Sequence, residues 1–167
     1  GLDRLDASLL LAHRLGRSRI WLLAHGDHAL DDSTRVSFEA DWRQRLGGVP
    51  TAYLLGPREF YGLALEVSAA VLVPRPETEV LVDWALEWLR TGPLWSVATP
   101  RVLDMGTGSG AIALAVAAGC PRAHVTGTDR SEAALAVARA NGQELRLDVS
   151  WACGHWWRCS ATGAADP

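Results

Sequence analysis

The chain has 167 residues and a net charge of −3, with 49% hydrophobic and 21% charged residues. That is the make-up of a globular protein with one moderate core and a small companion unit; a large multidomain enzyme is excluded, and no apolar run reaches membrane-spanning length. Acids and bases mingle without a basic patch, so direct nucleic-acid binding is not expected, and three cysteines without a repeating frame argue against a disulfide scaffold.

In chain order, Leu5, Leu9 and Ala12 recur at three- and four-residue steps across residues 2–15, and Gly16 supplies a stop, so the spacing predicts an amphipathic helix. Ser18 can cap a second short helix over residues 18–25. Asp31, Asp32 and Ser33 can cap a third, carrying Phe38, Trp42 and Leu46 at four-residue spacing and ended by Gly47 and Gly48. Residues 1–52 are therefore expected to form a helical unit suited to interaction or positioning.

The pattern then changes. Leu63, Leu65 and Val67 alternate with other residues, and a β-prone run follows at residues 71–73, which predicts a β-hairpin linker over residues 53–75. Pro74 and Pro76 stiffen its exit. A helix beginning near Pro76 or Glu77 has Leu81, Trp84, Ala85 and Trp88 as its expected buried stripe, with Glu77 and Glu79 suited to the positive end of its dipole.

After a loop rich in Gly, Pro and Ser, residues 101–142 read as strand, glycine loop, helix, strand and a Ser131-capped helix closed by Asn141 and Gly142. A third strand is expected where Leu145, Leu147, Val149 and Trp151 alternate. This is an α/β series, and parallel strands with right-handed crossovers follow from it. Residues 76–151 are thus read as one domain and residues 152–167 as an irregular tail.

The glycine loop carries the chemistry. Gly106, Gly108 and Gly110 let the backbone turn and let a ligand approach main-chain N–H groups at a helix N-terminus, with Thr107 and Ser109 as small neighbours. Gly106, Gly108 and Ala111 also satisfy the dinucleotide pattern, so spacing alone leaves a nicotinamide coenzyme open. Asp104, two places before the first glycine, would repel a pyrophosphate but suits the ammonium and sulfonium of S-adenosyl-L-methionine. Asp129, at the end of the second strand, can accept both ribose hydroxyls of either ligand. Cys153, His155 and Cys159 supply too few ligands for a structural zinc, and no metal is expected.

Four segments, GVPTAYLLGPREFYG (residues 48–62), LVPRPETE (72–79), VLDMGTGSGAIAL (102–114) and TDRSEAALAVARAN (128–141), together resemble the release factor glutamine methyltransferases, the HemK/PrmC family of protein-(glutamine-N5) methyltransferases. The glycine motif is shared with many methyltransferases; PRPETE after REFYG is much narrower.

The resemblance implies a helical substrate-docking domain, a hairpin linker and a Rossmann-like methyltransferase domain, here incomplete. It implies methyl transfer from S-adenosyl-L-methionine to the glutamine amide in the Gly-Gly-Gln motif of class 1 peptide chain release factors, by a protein expected to be monomeric at full length; the cytoplasm is expected because no secretory signal is visible and the cysteines suit a reducing compartment. Asp104, Gly106, Thr107, Gly108, Ser109, Gly110 and Asp129 would bind the cofactor, and Trp156 its adenine, although His155 precedes that Trp where the family has Asp. The family completes its site with Asn-Pro-Pro-Tyr, a tetrapeptide absent here, so no catalytic residue is assigned. The expectation is a truncated chain lacking the second half of the sheet and a short N-terminal lead, with a tail resembling a shifted reading frame. Two other readings stay open: a nicotinamide-dependent oxidoreductase, and a non-catalytic fragment that only docks the release factor.

Overall fold

The computed structural model describes residues 4–155 and 158–160. The chain divides into two compact units, Gly1–Gly56 and Pro57–Pro167.

The first unit holds α1 (Arg4–Leu15), α2 (Arg19–Ala24), α3 (Asp32–Leu46) and the single turn α4 (Thr51–Leu54). The expected caps are in place: the Ser18 side chain accepts the Trp21 N–H and Asp31 accepts the Thr34 N–H, each satisfying a donor that the helix cannot. Only Leu10 and Ala12 of α1 are buried. On α3 the buried position is Asp41 rather than the apolar stripe; Phe38 and Trp42 are half-buried and Leu46 is exposed. Arg14 grips Asp41 through two bonds of 2.6 Å, and Arg45 reaches Asp6 at 2.7 Å, so α1 and α3 are joined by ion pairs in addition to apolar packing.

The second unit opens with a hairpin of β1 (Arg58–Phe60) and β2 (Leu63–Leu65), one step earlier than the alternation suggested. The cause lies at the turn. Tyr61 and Gly62 both have positive φ, 51° and 77°, the conformation that joins two strands by a two-residue loop. Residues 71–73 form no strand; Val71 is buried in a turn closed by its N–H on the Ser68 carbonyl.

A 3₁₀ turn, Pro76–Thr78, leads into α5 (Glu79–Arg90), whose buried residues are Val82, Leu86 and Leu89. Of the expected stripe only Ala85 packs against the core, half-buried. Leu81, Trp84 and Trp88 are 50%, 60% and 59% exposed, and with Val102 and Leu103 the two tryptophans line a groove of about 420 Å³. Glu79 does more than face the dipole: its carboxylate accepts the Tyr61 N–H at 2.9 Å, tying the hairpin turn to the helix start.

The sheet runs β3 (Arg101–Met105), β4 (His124–Asp129), β5 (Ser150–His155) and β6 (Arg158–Ser160), in that spatial order. The first three are parallel and β6 is antiparallel. Between them lie α6 (Ala111–Gly119) and α7 (Glu132–Leu145). Two boundaries depart from expectation. Asn141 and Gly142 sit inside α7, which ends in the left-handed conformation of Arg146, and the third strand starts at Ser150, not Leu145. The region after residue 151 is also not wholly irregular, since β5 continues through it and β6 returns beside it.

The apolar α6 forms the centre of the core, with Ala113, Leu114 and Val116 inaccessible against Val125, Leu86 and Val82. Phe60 and Leu65 of the hairpin join the same core, which fixes the hairpin to this unit.

Candidate functional site

The carboxyl ends of β3 and β4 meet at the glycine loop. Gly106 and Thr107 both donate their N–H to the Thr128 carbonyl, at 2.8 and 2.9 Å, so the loop starts as an appendage of the neighbouring strand. Gly110 then donates to the Thr107 carbonyl at 2.8 Å and leads into α6.

The three glycines are needed for different reasons. All have positive φ, 76°, 56° and 83° for Gly106, Gly108 and Gly110. A Cβ on Gly106 or Gly108 would meet nothing within 4 Å, whereas one on Gly110 would strike the Trp151 indole at 2.9 Å and Leu114 at 3.1 Å. The first two therefore leave open backbone for a ligand, and the third lets the loop seat against the sheet.

Asp104 lies half-buried beneath the loop. Its Oδ2 accepts the Thr107 hydroxyl at 2.6 Å and the Ala113 N–H at 3.2 Å, in the first turn of α6. Burial pushes its carboxyl above the usual carboxylate range; the bonds from Thr107 and Ala113 pull the other way, and the Asp129 charge adds to the rise. Asp129 accepts the Gly108 N–H on Oδ2 at 3.0 Å and the Ser131 N–H on Oδ1 at 2.9 Å. Two carboxylates thus flank the loop, close enough to feel one another. That field attracts a cationic ligand and disfavours a diphosphate.

Thr107 and Ser109 are 7% and 3% exposed, so they build the loop from below. Of the sequence-derived site residues, Asp104, Gly106, Thr107, Gly108, Ser109, Gly110 and Asp129 are brought together, while Trp156 lies outside the described residues. Sequence reasoning missed two contributors. Trp151, on β5, lies against Gly110 and Gly127. Asn141, read from sequence as a helix stop, is 2% exposed and donates to the Ser109 carbonyl at 2.9 Å. The Asn-Gly pair reads locally as a helix end, and its distant partners leave no local mark.

Among the described residues no three His, Cys, Asp or Glu side chains gather where a metal ion could be held, and no helix is long and apolar enough to cross a membrane.

Comparison with known proteins follows the two units. The family described as PrmC N-terminal domain matches residues 1–56, and that described as methyltransferase domain matches residues 102–165. The release factor glutamine methyltransferase of Bordetella pertussis is 53% identical over 94% of this chain and 56% of its own length. That of Burkholderia pseudomallei is 48% identical over 92% and 52%, and that of Xylella fastidiosa strain Temecula1 is 45% identical over 93% and 55%. The chain spans about half the length of the curated relatives it matches.

Proposed function

The chain belongs to the release factor glutamine methyltransferase family, and on that premise we propose that its glycine loop binds S-adenosyl-L-methionine for methyl transfer to the glutamine amide of the Gly-Gly-Gln motif in class 1 peptide chain release factors. The observation that carries the reading is the open backbone over Gly106 and Gly108 between the carboxylates of Asp104 and Asp129.

The bound cofactor supplies an electrophilic methyl group on a positively charged sulfur. Asp129 is proposed to accept the ribose hydroxyls, sharing the oxygen that accepts the Gly108 N–H. Asp104 contributes negative potential and holds Thr107, and through it the loop. Trp156 is proposed at the adenine. The unit of residues 1–52 is proposed to dock the release factor, in the cytoplasm.

Transfer itself needs more than the cofactor. An amide nitrogen is a poor nucleophile, so its N–H groups must be gripped and its lone pair aimed along the methyl–sulfur axis. The family does this with Asn-Pro-Pro-Tyr, and the only asparagine of this chain, Asn141, precedes Gly142. The 167-residue chain is therefore proposed to bind cofactor and to transfer methyl extremely slowly or not at all.

Calorimetry tests the first claim: S-adenosylhomocysteine is expected to bind and NAD to bind at least tenfold more weakly. Tight NAD binding without S-adenosylhomocysteine binding overturns it in favour of an oxidoreductase. Radiolabelled methyl transfer to a release factor tests the second, run on this chain and on one extended with the remaining length of a relative; only the extended chain is expected to label its substrate.

A further inference from the structure

Asn141 makes three hydrogen bonds from a nearly inaccessible site. Its Oδ1 accepts the Glu66 backbone N–H at 2.8 Å, and its Nδ2 donates to the Glu66 carbonyl at 3.0 Å and to the Ser109 carbonyl at 2.9 Å. Only one orientation of the amide pairs every donor with an acceptor, so the network fixes it. Toward Glu66 the side chain behaves as a strand's backbone would, exchanging a donor and an acceptor with one residue. Its second proton goes to the glycine loop.

The Ser109 carbonyl belongs to the same peptide plane as the Gly110 N–H, which itself donates to the Thr107 carbonyl at 2.8 Å. That plane is held at both edges, one by Asn141 and one by the loop's own turn. Rotating it would displace the Thr107–Gly110 turn and the first turn of α6. Glu66 directly follows β2, 75 residues from Asn141 in sequence, so a single amide spans the linker, the cofactor loop and α7.

No other side chain fits all three partners. Asp lacks both donors and would place a charge against two carbonyls, Gln is longer by a methylene, and an apolar residue leaves buried backbone groups unpaired.

We propose that Asn141 is a positioning residue that pins the glycine loop through the Ser109 carbonyl and couples its order to that of the linker segment after β2. The pinning stands on geometry alone; the effect on ligand affinity rests on the cofactor reading above. Coupling of this kind is reciprocal, so a ligand on the loop also steadies the linker.

Amide hydrogen exchange on the whole chain tests it, comparing Asn141→Ala and Asn141→Asp with Leu89→Ala, a core substitution in α5 away from the loop. Without ligand, the Gly110 amide is expected to exchange at least tenfold faster in both Asn141 variants, and the Glu66 amide, whose acceptor Asp retains, at least tenfold faster in Asn141→Ala, beyond any change at Val116 in α6. Leu89→Ala should show no such selectivity. With S-adenosylhomocysteine, the Glu66 amide of the unsubstituted chain should slow, that slowing should vanish in Asn141→Ala, and ligand affinity there should fall about tenfold while Leu89→Ala keeps it.

Exchange in Asn141→Ala that matches Leu89→Ala overturns the proposal. So does equal ligand affinity in both, which leaves the cofactor reading standing. Failure of the unsubstituted chain to bind S-adenosylhomocysteine sinks the cofactor reading instead, and the ligand-free comparison still decides the role of Asn141. If the Asn141 variants do not fold, the unsubstituted chain decides: an unchanged Glu66 amide on ligand binding overturns the coupling.

Discussion

Asp104 is a charge kept in a costly place. Burial raises its pKa, so folding favours the protonated carboxyl and a charge held there works against stability. Its bonds to the Thr107 hydroxyl and the Ala113 N–H give it a structural role in the loop, and the proposed recognition of a cation would add a second. Asp104→Asn keeps an oxygen for the Ala113 N–H and the Thr107 hydroxyl while removing the charge. The expected result is a thermal midpoint at pH 7 equal to or above that of the unsubstituted chain, with S-adenosylhomocysteine affinity reduced about tenfold, roughly 1.4 kcal/mol. Scanning calorimetry and titration calorimetry on the same sample check it; a lowered midpoint with intact affinity would make Asp104 a structural residue. The three loop glycines could be read from sequence because positive φ calls for glycine locally, and Asp104 could be placed beside them at the strand's end. Asn141 could not, since its partners lie 75 and 32 residues away and nothing in α7 announces them.

Helices declared their starts through Ser18, Asp31 and Ser131, whose side chains each accept the predicted N–H. Their faces were harder to read. In α5 the set Val82, Leu86 and Leu89 and the set Leu81, Trp84 and Trp88 both follow helical spacing, and periodicity cannot rank two apolar faces. Size favoured the tryptophans, yet the smaller residues won the core because α6 approaches so closely that a Cβ on Gly119 would sit 2.7 Å from Leu86. Strand pairing hides a similar fit. Gly127 of β4 and Trp151 of β5 are register partners, and a Cβ on Gly127 would stand 2.5 Å from the indole. Gly127→Ala should therefore destabilise the second unit by about 1–3 kcal/mol. Adding Trp151→Ala should remove most of that increment, so that the double-variant cycle in urea shows coupling of at least ~1 kcal/mol. Additive costs would mean that the indole is not what confines Gly127.

The two units carry carboxylates of opposite character, and that sets how the molecule should respond to acid. In the first unit Asp6 is held below its ordinary range by Thr51 and Arg45, and Asp31 by the Ser33 hydroxyl and the Thr34 N–H and hydroxyl. A lowered pKa means the unfolded chain takes up the proton first. Stability from these groups is present above the unfolded value of about 3.9 and is lost as pH falls below it. Asp104 in the second unit has the reverse sign. Its folded form binds the proton first, so the second unit gains stability as pH falls from the raised value toward about 3.9. Peptide-resolved hydrogen exchange from pH 7 to pH 3, corrected for intrinsic rates, should show protection in β3, β4 and α6 rising or holding down to about pH 4. Protection in α1 and α3 should fall once the pH passes below about 4. Asp104→Asn should flatten the first trend and leave the second unchanged. If both units lose protection together and the substitution alters neither profile, the burial of Asp104 is not energetically coupled to folding, and the charge beneath the loop loses its claim to a functional purpose.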